Sequence, residues 1–481
     1  MNTLGSNYEA VEGLAFRVIS ESQSQELHSA ACQILEHTGI LVHHTEAVDM
    51  LKKAGALVAD NNRVRIPPSL VAWAIKQAPS GATLYNRNGE PVMQCEDHNI
   101  YYGTGSDCPF ILDDETGERR PFTTSDTIKG MTICDFLPHI DFVMSMGLID
   151  DVPKEVTSQH EFAIMIKNTH KPMVITAPNG DCLNDMIDMA AAVVGGREAL
   201  SNRPLFCLYD EHSAPLLHSE NAVEKLFIMA DNRLPLNYSP GDMAGAMGSM
   251  TMGRAIEQAV AEVLSGLIMH QLRNPGAPFV FGGGMSPINL SKMPPTYSMQ
   301  AAMLSQACLV ELAHYYNLPS WGFGRCSATN VNDQQSVIEL ATYNMMSALM
   351  GCNIVQEFGV NNSFQTLVMN NEIIGQIKRL MGGITINREH LALDAIHRVG
   401  PGGNFLGDKH TFKHFRKNWK PDLTDRQTYE NWVASGRKTM GDRAKEKIEY
   451  ILENHKSEPL RADMIAELNR ILAKAEARLG L

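Results

Sequence analysis

The sequence predicts an α/β fold of the (β/α)₈ type, a TIM barrel. Eight short apolar runs recur between residues 100 and 359, and they alternate with stretches in which apolar residues have helical spacing. The runs are apolar on both faces, which is typical of parallel strands covered by helices. Eight such units in series indicate a barrel. A doubly wound open sheet is the alternative, but no GxGxxG motif supports it.

The N-terminal region precedes these units and is mostly helical. Residues 22–58 predict two helices, the first ending at Gly39. A third helix begins at the two prolines 67–68. A small hairpin with a turn at Asn88-Gly89 follows. We therefore expect an N-terminal region over residues 1–95.

The barrel is predicted over residues 96–384. Its candidate strands are residues 100–102, 141–149, 172–177, 204–210, 234–240, 278–284, 319–324 and 353–359. After residue 385 the pattern becomes helical and highly charged. We expect residues 385–481 to form C-terminal helices that pack on the barrel.

Composition excludes several classes of protein. The 481 residues carry a net charge of −13, which disfavours nucleic acid and anionic membranes as partners. No apolar run approaches the ~20 residues that span a bilayer, and the first residues lack the features of a signal peptide. Nine scattered cysteines without a CxxC pair indicate reduced thiols. We expect a cytoplasmic protein.

The predicted strand ends supply the candidate site, because reactive groups in such barrels lie at the C-terminal ends of strands. These ends combine aromatic residues, carboxylates and glycines. Aromatic rings with a carboxylate suit a quaternary ammonium ion, which is held by cation–π contacts. Ordinary packing is the alternative for any single aromatic. The candidates for substrate binding are Tyr102, Asp107, His212, Tyr238, Trp321, Arg325, Glu357 and Phe358, and the rim glycines are Gly103, Gly105, Gly283 and Gly284.

Three other chemistries receive less support. His410 and His414 are spaced to share a helix face, but the glutamate of an HExxH zinc motif is missing, so a structural role is favoured. Cys326 could be a nucleophile, but it has no activating neighbour in the sequence. The glycine runs lack the lysine of a phosphate-binding P-loop.

Several segments resemble the trimethylamine methyltransferase family, from about residue 20 to the end. They are GTGSD (103–107), DDETGERRPFTTSD (113–126), DFLPHID (135–141), SPGDMAGAMGSMT (239–251) and VGPGGNFLGDKHTFKHFR (399–416). The resemblance implies a (β/α)₈ barrel that passes a methyl group from an amine to Co(I). That cobalt belongs to cobalamin, a corrinoid presented by a separate corrinoid-binding protein. It also implies no metal of the chain's own and a place in the methyl metabolism of methanogens or acetogens.

The sequence departs from the best-known branch of this family at two places. The region where that branch carries pyrrolysine resembles residues 327–330 here, which are standard amino acids. The resemblance is therefore to the branch without pyrrolysine, whose substrates are quaternary amines such as glycine betaine, proline betaine and carnitine. Relatives tend to carry a histidine near Gln356, so we expect a remodelled pocket.

These features together imply roles for the strand-end residues. We expect Tyr102, Tyr238, Trp321 and Phe358 to surround the trimethylammonium group, with Glu357 adding negative charge, and the rim glycines to admit the corrinoid ring. Arg325 and His212 are the candidates for a substrate carboxylate. A homo-oligomer is expected. A barrel that binds a quaternary amine without catalysis is the alternative function, and a zinc hydrolase is a distant third.

Overall fold

The computed structural model describes residues 15–241, 243–288, 300–327, 329–359, 363–415 and 420–481. The strands are β1 (Ile40–Val42), β2 (Leu57–Ala59), β3 (Arg63–Arg65), β4 (Ala82–Tyr85), β5 (Pro91–Cys95), β6 (Tyr101–Gly103), β7 (Phe110–Leu112), β8 (Arg119–Pro121), β9 (Met173–Ile175), β10 (Phe206–Glu211), β11 (Leu217–His218), β12 (Leu236–Ser239), β13 (Met243–Ala244), β14 (Phe279–Gly282), β15 (Ser286–Pro287), β16 (Ser320–Ser327) and β17 (Ile354–Gly359). The α-helices are α1 (Glu21–Gln33), α2 (Thr45–Lys53), α3 (Pro68–Gln77), α4 (Thr124–Phe136), α5 (Thr157–Asn168), α6 (Gly180–Val194), α7 (Arg197–Asn202), α8 (Glu220–Asp231), α9 (Met252–Arg273), α10 (Gln300–Tyr315), α11 (Gln334–Met350), α12 (Phe364–Met381), α13 (Arg388–Leu391), α14 (Leu393–Val399), α15 (Lys409–His414), α16 (Tyr429–Ala434), α17 (Met440–Asn454) and α18 (Ala462–Leu479).

A parallel sheet of seven strands lies at the centre of this mixed α/β fold. Its spatial order is β6-β17-β16-β14-β12-β10-β9, and each neighbouring pair is parallel. Seven of the eight predicted strands are therefore confirmed, and they lie in one sheet. Helices connect consecutive strands, as a parallel sheet requires. The arrangement is consistent with a TIM-barrel-like fold.

The remaining predicted strand, residues 141–149, is reduced to isolated bridges. Gly103 pairs with Phe142, and Val143 pairs with Met173, both in parallel. This segment therefore lies between β6 and β9, the two outer strands of the sheet. Met146 has a φ of 69°, which interrupts the extended conformation and explains why no longer strand forms.

Side chains of the central strands contribute to two main cores. One core lies between the sheet and the surrounding helices and contains most of the buried apolar residues. The other lies on the inner face of the sheet, where the β4–β5 hairpin contributes Ala82, Leu84, Met93 and Cys95. Tyr85 N donates to Pro204 O, just before β10 begins. The hairpin therefore packs against the strand beginnings and leaves the opposite edge of the sheet for a binding site.

The N-terminal region is fastened to the central sheet. The predicted helix stop is confirmed at Gly39, which has a φ of 75° and follows a single π-helical turn. The stretch predicted as two helices also contains β1 and β2, which join β3 and β11 in a second sheet. Because β11 follows β10 directly in the chain, this small sheet ties the N-terminal region to the edge where β10 ends.

The C-terminal helices pack on the helices that cover the sheet. Helix α17 contacts α12 and α4, and α18 contacts α6 and α5. None of the helices in the described part of the chain is long and apolar enough to cross a membrane. His410 and His414 share the short helix α15 with stacked rings 4.3 Å apart. The described residues contain no group of three potential metal ligands.

Asp135 near the end of α4 connects the C-terminal helices to the sheet. Its carboxylate accepts hydrogen bonds from Thr169 Oγ1 (2.8 Å), His170 Nδ1 (2.6 Å) and His455 Nε2 (2.8 Å). Burial raises the pKa of this carboxyl, but the hydrogen bonds from both histidines outweigh burial and hold the pKa well below its ordinary value. The ionised carboxylate therefore stabilises the folded state.

Replacing Asp135 by asparagine is expected to lower the free energy of unfolding at pH 7 by about 2–3 kcal/mol, since charge-assisted hydrogen bonds are lost. A depressed pKa contributes stability above the unfolded value near ~3.9 and loses it as the pH falls further. The difference in the free energy of unfolding between wild type and Asp135→Asn should therefore shrink by about 1.4 kcal/mol per pH unit below ~3.9. Urea titrations between pH 7 and pH 3 measure it. A difference that stays constant over this range would show that Asp135 does not act through its charge.

Candidate active site

A cavity of about 180 Å³ lies at the C-terminal ends of the central strands. This edge carries the binding and catalytic groups in barrels of parallel strands. Residues of β10, β16 and β17 and the loops after β6, β12 and β14 line it, together with side chains from α10 and α11. The described lining residues are Asp107, Tyr209, Glu211, Pro240, Gly241, Met243, Gly284, Met285, Ser286, Ala302, Phe323, Tyr343 and Gln356.

Two carboxylates give the cavity its charge. Asp107 follows β6 and Glu211 ends β10, and both side chains remain accessible. Protein atoms around Asp107 displace part of its water and so raise its pKa. The same effect raises the pKa of Glu211, and the negative charge of Asp107 raises that pKa further. The Tyr209 hydroxyl donates a hydrogen bond of 2.5 Å to Glu211 Oε1. The described lining residues thus include two carboxylates and no basic side chain, a charge distribution that favours a cation.

Aromatic rings form part of the wall. Tyr209 and Phe323 line the cavity from β10 and β16, and Tyr343 reaches it from α11. The Tyr209 ring packs on Trp321, with centroids 5.2 Å apart and planes inclined by 35°. Rings beside carboxylates are the combination that binds quaternary ammonium ions.

The backbone at Phe323 is held in place by side chains from two helices. Gln306 Oε1 accepts from Phe323 N (2.9 Å), and Gln306 Nε2 donates to Phe323 O (3.1 Å). Ser347 Oγ donates to the same carbonyl at 2.7 Å. A Cβ at Gly284 would lie 2.8 Å from the Phe323 ring, so the ring can take this position only because residue 284 is glycine. A β-bulge follows between Phe323 and Arg325.

Two neutral polar groups in the wall lack partners among the described residues. Ser286 and Gln356 are 4% and 2% exposed, and neither Ser286 Oγ nor Gln356 Oε1 makes a hydrogen bond. A buried polar atom without a partner costs free energy. Both residues belong to the cavity lining, so a bound molecule that reaches these oxygens would supply the missing hydrogen bond.

Three of the predicted aromatic residues lie away from the cavity. The Tyr102 hydroxyl donates to Asn344 O at 2.9 Å, and the Tyr238 hydroxyl lies 2.8 Å from His218 Nδ1. Both tyrosines belong to the core between the sheet and the helices. Trp321 is fully buried on the inner face, behind Tyr209. The structure does not bring these three rings together around one point of the cavity.

The other predicted substrate-binding residues have different locations. Asp107 lines the cavity. His212 is buried, its Nε2 lies 3.6 Å from Glu262 Oε2, and burial lowers its pKa to about 4, so it is neutral at pH 7. In the backbone register, Arg325 pairs with Glu357 and Phe358 pairs with residue 326. The side chains of Arg325, Glu357 and Phe358, and that of Cys326, lie outside the described part of the structure.

The four predicted rim glycines are mostly explained by packing. A Cβ at Gly103 would overlap the Phe142 ring, and one at Gly283 would overlap Ser239 Oγ. Gly284 adjoins Phe323 and is the one member of this set in the described lining. The carbonyl of Gly105 accepts from Met146 N at 2.8 Å.

A sequence model of the family described as "Trimethylamine methyltransferase (MTTB)" matches residues 7–480. The chain belongs to this family. A trimethylamine methyltransferase MttB of Desulfitobacterium hafniense is 31% identical over 98% of this chain and 96% of its own length. A glycine betaine methyltransferase of the same species is 26% identical over 97% of this chain and 98% of its own length. The chain is therefore a methyltransferase, which decides against the non-catalytic alternative.

Two solved structures of a monomethylamine methyltransferase share the fold. The crystal structure of the Methanosarcina barkeri monomethylamine methyltransferase (MtmB) has a TM-score of 0.53 and 11% identity, and covers 98% of this chain and 91% of its own. The hydroxylamine complex of MtmB matches with the same TM-score and 12% identity. At this identity the likeness supports the architecture of the methyltransferase and carries no information on its substrate.

The cavity contains residues to which the sequence did not assign a role. Tyr209 and Glu211 stand in a predicted strand end, and they share one face of β10 because side chains two residues apart point the same way. Applied to β16, the same rule groups Trp321 with Phe323. Strand alternation groups these residues on common faces, but the sequence alone does not show which face borders the cavity. Tyr343 lies on a helix and had no such signal.

Proposed function

We propose that this methyltransferase removes a methyl group from a quaternary amine and transfers it to Co(I) of a corrinoid carried by a separate protein. The main support is the cavity at the C-terminal edge of the strands, which combines Asp107 and Glu211 with three aromatic rings. The full-length similarity to a glycine betaine methyltransferase is in keeping with a quaternary amine as substrate.

The chemistry requires little from the protein beyond binding and orientation. Co(I) supplies the electron pair that forms the new bond to the methyl carbon. The C–N bond breaks, its electron pair stays on nitrogen, and a neutral tertiary amine leaves, so no proton donor is needed. The carboxylates Asp107 and Glu211 and the rings of Tyr209, Phe323 and Tyr343 hold the cation. Holding the C–N bond so that it points toward the cavity mouth lowers the entropic part of the activation free energy.

We infer that the corrinoid belongs to a partner protein. Most of the predicted rim glycines pack against the chain's own residues, so the described part of the chain does not rely on them for a cofactor cradle.

We further infer that residues 142–143 complete an eight-stranded barrel between β6 and β9, since their bridges reach both strands. The partner would then approach the end of the barrel where the cavity lies. We retain residues 96–384 as the barrel domain, flanked by the two helical regions.

Turnover of a quaternary amine should depend on the cobalt acceptor. The purified chain is expected to convert cob(I)alamin to methylcobalamin in the presence of a quaternary amine, and to leave trimethylamine unused. Visible absorbance under anaerobic conditions follows the conversion, and a reaction without protein is the control. If no quaternary amine in a panel of betaines, carnitine, choline and tetramethylammonium methylates cob(I)alamin or a corrinoid protein, the proposed reaction is wrong.

We propose that the protein forms a homo-oligomer through the segment of residues 384–415. This segment exposes an unusual number of large apolar side chains, and monomeric proteins rarely expose such a patch. The exposed residues are Ile384, Ile386, Leu391, Leu393, Ile396, Phe405, Leu406, Phe412 and Phe415. Light scattering after size-exclusion chromatography should give a multiple of the 53.1 kDa chain mass. Replacing Ile384, Leu406 and Phe412 by serine should reduce that mass. A monomer at micromolar concentration would refute the proposal.

A further inference from the structure

The charge of the cavity bears on the part of the substrate that lies beyond the methylated nitrogen. Asp107 and Glu211 are both in the wall, and none of the described lining residues is a lysine, arginine or histidine. A substrate carboxylate in this cavity would lose water beside two protein carboxylates and find no opposite charge among the described lining residues. Like charges brought together in this way oppose binding strongly. A cation without a carboxylate is attracted by both residues.

The neutral polar atoms in the cavity wall determine which functional group the cavity binds at the other end of the substrate. Ser286 Oγ can donate and accept a hydrogen bond, and Gln356 Oε1 accepts one. Both atoms are buried and have no partner in the described part of the chain. A single hydroxyl group complements both, because it can donate to Gln356 and accept from Ser286. A carboxylate, which only accepts, leaves Gln356 Oε1 unsatisfied.

We propose that the cavity selects a quaternary ammonium alcohol, with a trimethylammonium head and a neutral hydroxyl tail as in choline, over a zwitterionic betaine. The proposal rests on the proposed function of the same site and names its substrate class. The head lies against the rings of Tyr209, Phe323 and Tyr343 beside the two carboxylates. The tail reaches Ser286 and Gln356.

Calorimetry on the full-length protein with three probes tests this selectivity. Choline carries the head and the hydroxyl, glycine betaine carries the head and a carboxylate, and tetramethylammonium carries the head alone. Choline should bind at least tenfold more tightly than glycine betaine, with tetramethylammonium between them. Tenfold corresponds to about 1.4 kcal/mol. Glycine betaine that binds as tightly as choline, or more tightly, would overturn the proposal.

The Ser286→Ala variant tests the tail contact separately. Because the serine hydroxyl makes no hydrogen bond among the described residues, its removal should leave folding intact, which a thermal melt checks. The variant should bind choline several-fold less tightly and tetramethylammonium as tightly as wild type does. Ser29→Ala, at an exposed position on α1, is the matched control and should change neither affinity. Equal losses for both probes in Ser286→Ala would contradict a hydrogen bond to the tail.

Methyl transfer to cob(I)alamin separates this proposal from the proposed function. Transfer from glycine betaine but not from choline would overturn the selectivity and leave the methyl-transfer reaction standing. Selective binding of choline without methyl transfer from any compound would overturn the methyl-transfer reaction and leave the selectivity standing. If betaine proves the better ligand, the Arg325→Met variant tests whether Arg325 binds the betaine carboxylate. In that case the affinity for betaine should fall at least tenfold in Arg325→Met and not in the other variants.

Discussion

Removing both charges from the cavity is expected to weaken the binding of a quaternary amine about 100-fold. The substitutions Asp107→Asn and Glu211→Gln keep the size of each side chain. Asn tolerates the positive φ of 68° at residue 107, and Gln retains an oxygen that accepts the Tyr209 hydroxyl. A carboxylate about 5 Å from a cation contributes about 3 kcal/mol at an effective dielectric constant near 20. We halve this for accessible side chains, so two carboxylates together account for roughly 100-fold.

Binding of the cation should also depend on pH. A protonated carboxyl is neutral, so affinity falls as the pH drops through the pKa values of Asp107 and Glu211. Because protein atoms around these side chains displace part of their water, both pKa values are raised. The loss of affinity should therefore begin at a higher pH than for ordinary carboxyl groups, and the double variant should not show it. Calorimetry between pH 4 and pH 8 measures both effects. Glu198→Gln, an exposed site on α7, is the matched loss of one charge. An unchanged affinity in the double variant would show that these carboxylates do not bind the cation.

The largest expected loss of stability comes from replacing Lys171 by methionine. The ammonium group of Lys171 is buried and donates to three backbone carbonyls, those of Cys134 (2.5 Å), Leu137 (2.6 Å) and Ile140 (2.5 Å). The first two carbonyls lie at the C-terminal end of α4, where backbone carbonyls lack helical partners and favour a cation. Methionine fills similar space but donates no hydrogen bond. Three buried carbonyls would be left without this donor, so the free energy of unfolding should fall by about 3–5 kcal/mol.

Chemical denaturation at pH 7 tests the role of Lys171. Burial lowers the pKa of this group to about 8, so the ammonium is present at the test pH. Lys53→Met, at the exposed end of α2, removes a charge without removing a buried donor and should change stability little. A Lys171→Met protein within about 1 kcal/mol of wild type would show that water or neighbouring groups satisfy these carbonyls, since one hydrogen bond alone is worth that much.

The sequence was sufficient to predict most strands of the central sheet and their order along the chain. Seven of eight predicted strands form one parallel sheet, because continuous apolar runs between helical stretches are characteristic of strands buried on both faces. Gly39 ends the first helical segment as predicted, since glycine readily adopts a positive φ. The segment 141–149 formed only bridges. Its conformation breaks at Met146, and nothing in an apolar run announces a positive φ at methionine.

The tertiary structure decided which side chains face the cavity. In a strand with one polar face, alternation reveals the direction of each side chain. In these strands both faces are apolar, so the sequence shows the strand ends but not the phase of the alternation. The structure sets that phase: Tyr209, Glu211 and Phe323 line the cavity, whereas Tyr102 and Tyr238 point into the core beneath the helices. A difference of one residue along a strand moves a side chain from the cavity to the outer core, and only the pairing and packing of the whole sheet determine it.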